Sequence, residues 1–163
     1  MFNVFITNLG KYNEDELVGK WLELPCDDLE AELKSIGVAE GTMYEEYFIT
    51  DYENDYSYKV GEYESLDKLN DLAETLEALD EYETTHLQAY IEASGYDTEE
   101  ALERYENSIF YKGMDLVDVA YLLVEGCYNL PEMAQRYFDY EAFARDLGFD
   151  GYYETEAGTI CLC

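Results

Sequence analysis

The side chains with most capacity for chemistry are carboxylates: 39 Asp and Glu stand against nine Lys and Arg and one His in 163 residues. Carboxylates in such numbers can act as acid and base, hold a metal ion, or present a negative field. The sequence separates these uses. Asp51-Tyr-Glu53-Asn-Asp55 opens like a calcium loop, but Tyr56 occupies the sixth position, where the sharp turn requires glycine. Paired carboxylates for glycoside hydrolysis carry no information when so many acids are available. His86 is the sole histidine, so any Ser–His or Cys–His relay has one possible base, and its context reads as an ordinary, partly exposed helix position. Neither phosphate-cradling pattern, G-x-x-x-x-G-K-S/T or G-x-G-x-x-G, occurs. Cys26, Cys127, Cys161 and Cys163 have no C-x-x-C spacing and read as reduced structural thiols. These residues point away from an enzyme and from any cofactor or metal site. The negative field is what remains.

Its size limits the partners. A formal net charge of −30 repels nucleic acid and anionic lipid, so neither is expected as a direct ligand. High net charge alone would suggest disorder, but 48% of the residues are apolar and 16% aromatic, enough to build a core. No apolar run approaches the roughly 18–20 residues that span a bilayer. The N-terminal stretch Met1 to Ile6 has neither a basic region nor a long apolar one, so no signal peptide is expected. The expectation is a folded, soluble protein of the cytoplasm.

The elements that must carry the charge fall into three segments. Residues 1–61 read as strands with one short helix. Met1 to Leu9 and Gly19 to Leu24 are strands; Asp27 or Asp28 caps a helix with Leu29, Leu33 and Ile36 on one face, closed by Gly37. Tyr44 to Tyr52 and the alternating Tyr56–Val60 are further strands. Residues 62–106 turn helical. Ser65 caps a helix whose apolar face is Leu66, Leu69, Leu72, Ala73, Leu76 and Leu79; Leu87, Tyr90 and Ile91 mark a second helix, and Asp97 to Glu100 is a capping box opening a third. Residues 107–163 are mixed: a strand over Ser108–Tyr111, a helix capped by Asp115 and apolar nearly all round, Pro131 at the first position of another, and Asp139 capping a helix stopped by Gly148. A hairpin turns at Glu156–Gly158. The predicted class is α+β: an elongated chain of three small modules, a helical one between two that combine short antiparallel sheets with helices.

The three segments hold 14, 15 and 10 acids against four, two and three bases, for net charges of −10, −13 and −7. The helix from 65 to about 81 concentrates them. At about 100° per residue, Asp71, Glu74, Glu77 and Glu81 lie within roughly 80° of the line through Asp67, opposite the leucines. Like charges at this spacing cost a helix about 0.2–0.5 kcal/mol per pair, and Lys68 is the only base among them. Duplex DNA carries one charge per roughly 1.7 Å, so thirty charges equal about 50 Å of duplex. A compact globule of this length is about 40 Å across. An elongated chain would therefore carry a linear charge density close to that of DNA.

Several stretches, taken together, resemble the ArdA family of antirestriction proteins. They are Asn8-Leu-Gly-Lys-Tyr-Asn13, Leu17-Val-Gly-Lys-Trp21, Glu45-Glu-Tyr-Phe-Ile-Thr-Asp-Tyr-Glu53, Glu62-Tyr-Glu-Ser-Leu66 with the helix after it, and Tyr137-Phe-Asp-Tyr-Glu-Ala-Phe-Ala-Arg-Asp-Leu147. Thr50 is a departure, because relatives often carry His there. The resemblance implies a homodimer joined through its C-terminal modules that mimics bent B-form DNA and occupies the DNA-binding groove of type I restriction-modification enzymes. On this reading the partner-facing acids are Asp51, Glu53, Asp55, Glu62, Glu64, Asp67, Asp71, Glu74, Glu77, Asp80, Glu81, Glu83, Glu99, Glu100 and Glu103. The dimer contact is Ile109, Phe110 and Tyr111, in the least acidic segment. Two other readings fit the composition: an acidic mimic aimed at a different basic protein, such as a nucleoid protein or a CRISPR effector, and adaptation of the whole surface to high salt.

Overall fold

Phe2, Val4 and Ile6 alternate with outward residues, and that alternation makes β1 (Phe2–Asn8) the central strand of a small sheet. The computed structural model describes residues 1–127 and 130–162 and divides the chain into two units, residues 1–80 and 81–163. With its helices and two three-stranded antiparallel sheets the protein is α+β, as the sequence predicts. No helix among the described residues is long and apolar enough to cross a membrane.

In the first unit β1 pairs antiparallel with β2 (Gly19–Leu24) on one side and β3 (Tyr47–Asn54) on the other. Asn8 is wholly buried and joins three segments. Its side chain accepts from the Lys11 N–H, starting α1 (Leu9–Asn13), and its amide donates to the carbonyl of Ile36. The strand reading therefore continues into a short helix that periodicity did not reveal, because five residues hold barely one turn. Asp28 caps α2 (Leu29–Ser35), and Gly37 follows at a φ of +78°. Ser65 caps α3 (Leu66–Glu77), which packs on β2 and buries Leu66, Leu69, Leu72, Ala73 and Leu76. Asn70, also buried on that helix, accepts from the Cys26 N–H at 2.7 Å and fixes the turn after β2.

Two expectations for this unit fail. Tyr56–Val60 is not a strand. Asn54 accepts from the N–H groups of Tyr56 and Tyr58 and donates to the Tyr58 carbonyl, while Ser57 adopts a φ of +57°. Tyr56 and Tyr58 are both buried, so the alternation was real, but it belongs to a pinned loop. The acidic helix also ends at Glu77, short of Glu81. Glu74 and Glu77 therefore stand in its final turn, with no base to offset the negative end of the helix dipole.

The second unit begins with α4 (Glu81–Ser94), followed by α5 (Thr98–Arg104), capped by Asp97, and a single 3-10 turn at Tyr105–Asn107. Its sheet runs β4 (Ile109–Lys112), β6 (Gly158–Cys161), β5 (Tyr152–Thr155), with β6 central, and α4 packs against all three strands. α6 (Leu116–Gly126) starts in a full capping box between Asp115 and Asp118. It packs on α8 (Tyr140–Phe149) around Val119, Ala120, Ala144 and Leu147. Pro131 is the cap of the one-turn α7 (Glu132–Gln135) rather than its first residue. Gly148 lies inside α8, which runs on to Phe149 and is ended by Asp150 and by Gly151 at a φ of +90°. Cys26 and Cys127 are free thiols, whereas Cys161 is disulfide-bonded, a correction to the expectation of reduced thiols throughout. The isolated C-x-C at the end of the chain carries no paired framework from which a disulfide could have been read.

Gly158 closes the β5–β6 hairpin at a φ of +141°, where an added Cβ would sit 2.3 Å from the Tyr111 carbonyl oxygen and 2.7 Å from the Gly113 nitrogen. Backbone cannot yield as a side chain can. Gly158→Ala is expected to cost about 2 kcal/mol or more in urea unfolding. Gly95→Ala, at a φ of +72° with open space around it, is expected to cost only about 1 kcal/mol. Equal costs would show that the hairpin does not need this close approach.

Candidate functional site

The fold decides which charges remain uncompensated. Among the described residues, seven of the nine basic side chains make ion pairs with glutamates, six of them within a few residues or on a neighbouring element: Lys11 with Glu14 and Glu16, Lys20 with Glu32, Lys34 with Glu30, Lys68 with Glu64, Arg104 with Glu100, and Arg136 with Glu132. The seventh, Lys112, reaches Glu81 at 3.2 Å. Most of the bases are thus absorbed locally, and each unit is left with a large surplus of acids.

The acids singled out from the sequence separate into groups. Asp51 and Glu53 project from the exposed half of β3, and Asp55 in the next turn binds the N-terminal ammonium at 2.7 Å. Glu62 is exposed just before α3. Asp67, Asp71, Glu74 and Glu77 are all exposed along α3, and Asp80 closes the first unit. In the second unit Glu81 and Glu83 occupy the first turn of α4, Glu99 and Glu100 the first turn of α5, and Glu103 the turn beyond. Asp51, Glu53, Glu62, Asp67, Asp71, Glu74, Glu77 and Glu103 have no ion pair among the described residues.

Glu64 differs from the rest. It is largely enclosed, accepting from the Tyr58 hydroxyl at 2.6 Å and the Gly61 N–H at 2.9 Å, with Lys68 nearby. Burial alone would raise its pKa, but these three donors outweigh it and hold the carboxyl below the usual carboxylate range. Its ionised form therefore favours the fold above the ordinary carboxylate pKa, and that contribution fades as pH falls through the lowered value. Glu64 braces the loop ahead of α3 more than it adds to the field.

Helix dipoles separate the remaining acids by cause. Carboxylates in first turns, such as Asp67, Glu81, Glu83, Glu99 and Glu100, each gain about 0.3–1 kcal/mol from the positive helix end, so they serve the fold whatever else they do. Glu74 and Glu77 lie at the wrong end of α3, where the same effect opposes them. Asp67 to Glu77 places four charges along about 15 Å of helix axis, one per roughly 5 Å. One strand of duplex DNA carries one per roughly 3.4 Å.

Sequence reasoning missed Glu23. The register sets Glu23 beside Asn3 and Asn3 beside Glu53, and one step along it sets Trp21 beside Phe5 and Phe5 beside Asp51. Three acids and an exposed tryptophan thus share one face of the first sheet. The outward parity of Trp21 and Glu23 between buried Leu22 and Leu24 was the available signal. In the pairing of β1 with β3 the register slips between Phe5 and Ile6, leaving Thr50 of β3 as an extra residue that re-aims the strand before Asp51; its hydroxyl lies 3.2 Å from that of Thr7.

His86 is buried, not partly exposed as expected. Its ring stacks on Phe110 at 5.3 Å and meets Tyr105 edge-on at 5.2 Å, because α4 lies directly over the sheet. Its Nε2 is 2.7 Å from the Ser108 hydroxyl, which itself donates to the Tyr105 carbonyl. The serine hydrogen is committed, so Nε2 is the donor to Ser108 Oγ, the reverse of what nucleophile activation requires. Burial pushes the imidazole pKa down, with Glu106 opposing. No group of three or more His, Cys, Asp or Glu among the described residues is arranged to hold a metal ion.

The residues proposed for a dimer contact sit differently from one another. Ile109 is 54% exposed, Tyr111 is half-buried and parallel to Tyr152 at 6.4 Å, and Phe110 is enclosed between His86 and Tyr82, whose hydroxyl donates to the Phe110 carbonyl. Of the three, Ile109 offers most surface to another chain.

These features define a class: an α+β polyanion with most of its carboxylates exposed. Residues 4–161 match the family model described as Antirestriction protein (ArdA), nearly the whole chain, and the protein belongs to that family. The family is one of inhibitors and is not a known enzyme family. No curated protein matches the chain.

Replacing Glu74 and Glu77 together by Gln removes two charges from the unfavourable end of α3. The variant is expected to gain about 0.5–1 kcal/mol of stability at low salt, with the gain shrinking as salt is added, and to lose antirestriction activity. Thermal melts at two ionic strengths read the first effect. Loss of stability would show that these carboxylates serve the fold.

Proposed function

We propose that this antirestriction protein acts as a mimic of bent B-form DNA, placing its acidic surface in the DNA-binding groove of type I restriction-modification enzymes and excluding DNA by competition. The observation that carries the reading is the division of charge: bases paired off locally, and carboxylates left exposed along β3 and α3 at a spacing approaching that of a DNA strand. A groove built for phosphates supplies Lys and Arg at matching intervals, and attraction between such fields speeds encounter as well as fixing orientation. Nothing in this scheme needs a cofactor, metal or nucleotide on this chain.

The acting species is a cytoplasmic homodimer joined through the C-terminal module, the least acidic of the three segments, with Ile109 on the edge strand β4 at the contact. Pairing doubles the number of carboxylates available to the partner. The direct experiment titrates the purified protein into a type I methyltransferase core bound to fluorescent duplex, with light scattering on the same preparation. Stoichiometric displacement of the duplex by a species of twice the chain mass is expected. Inhibition that leaves DNA on the enzyme would contradict competition.

A further inference from the structure

We propose that the open face of the first sheet docks an arginine side chain of the basic protein partner, with Trp21 as the platform on which the guanidinium lies. The inference rests on the reading above that the partner is a protein built to hold DNA. It adds a residue that no charge argument selects.

Six side chains make this face. Trp21, Phe5 and Asp51 form one row across the strands, and Glu23, Asn3 and Glu53 form the next. Core-facing positions alternate with them: Val4, Leu22 and Leu24 are buried. Trp21 is 44% exposed, and Phe5 meets it edge-to-face at a centroid distance of 5.5 Å with an interplanar angle of 83°. That contact fixes the indole without covering it. Same-face neighbours along a strand are about 7 Å apart, and second-neighbour strands about 10 Å, so Glu23 stands within one side-chain length of the indole and Asp51 beyond Phe5.

None of the six side chains is basic: Lys20, next to Trp21 in β2, alternates to the opposite face and is paired with Glu32, and the N-terminal ammonium is bound to Asp55. An exposed large aromatic ring in a field of carboxylates is a poor choice for solubility and a good one for a desolvated cation. Arginine fits better than lysine, because its planar guanidinium can stack on the indole while its N–H groups reach Glu23. Tryptophan and arginine are also the residue types most often found at energetic centres of protein interfaces. The charge therefore brings the partner in, and Trp21 holds one of its arginines in place.

Trp21 is the only tryptophan in the chain, so its fluorescence reports on this face alone. Nona-arginine and nona-lysine, which are free of aromatic residues, serve as probes against the full-length protein at about 0.1 M salt. Nona-arginine is expected to change Trp21 emission and to bind about two- to five-fold more tightly than nona-lysine, the range a partly exposed cation–π contact allows. Calorimetry with Trp21→Leu is expected to erase that preference while leaving most of the lysine affinity. In the duplex-displacement assay the same variant should need several-fold more protein. Should Trp21→Leu fail to fold by circular dichroism, Glu23→Gln with Asp51→Asn, both at exposed positions, replaces it and is expected to reduce the arginine preference. Equal binding of the two peptides with unchanged emission overturns the proposal. If the wild type displaces duplex in that case, mimicry stands without this contact; if it does not displace duplex, mimicry fails whatever the peptides show.

Discussion

Everything in this molecule is arranged around like-charge repulsion. A chain with a net charge of −30 must fold each of two small units while most of its surface repels itself. The apolar contribution comes from modest clusters: the inward side of β1 with the leucines of α3 in one unit, and the α6–α8 contact with the sheet under α4 in the other. Side chain to backbone hydrogen bonds supplement them where the chain changes direction. Asn8, Asn54, Asn70, Ser65, Asp97, Asp115 and Asp139 each satisfy a turn or a helix start. No buried side-chain polar atom among the described residues lacks a partner. Little stability is surrendered to unsatisfied groups, which matters when the charge already opposes folding.

The acids then fall into those the fold uses and those it merely tolerates. First-turn carboxylates complement helix dipoles, and Glu64 ties the loop ahead of α3. Glu74 and Glu77 do neither, and Asp51 and Glu53 stand exposed on β3 with no ion pair among the described residues. A surface adapted only to remain dissolved has no reason to put carboxylates at the negative end of a helix. A surface meant to resemble a polyanion does. The sorting also locates function in a continuous surface, where one substitution changes little and several neighbouring ones change much.

Much of this was legible in the residues. β2, α2 and the β5–β6 hairpin follow from alternation, caps and turn glycines, and the leucine face of α3 follows from its period. What escaped did so for physical reasons. Tyr56 and Tyr58 both point inward at strand spacing, yet the cause is Asn54 gripping the backbone, an interaction that period analysis does not see. α3 ends at Glu77 with neither glycine nor proline to mark the stop. His86 is buried because α4 crosses its own sheet, a tertiary fact. For the site, the identities of the acids were plain but their division was not. Glu23 joined Asp51 and Glu53 only once the strand register was known.

The central claim is that the partner recognises a field of carboxylates as it would recognise phosphates. The most direct measurement is the affinity of the purified protein for a type I methyltransferase core across a salt series. The account predicts a steep linear fall of log affinity with log salt, at least about tenfold between 0.05 and 0.2 M, in parallel with the enzyme's own binding of duplex DNA. Affinity that stays constant over that range would contradict it.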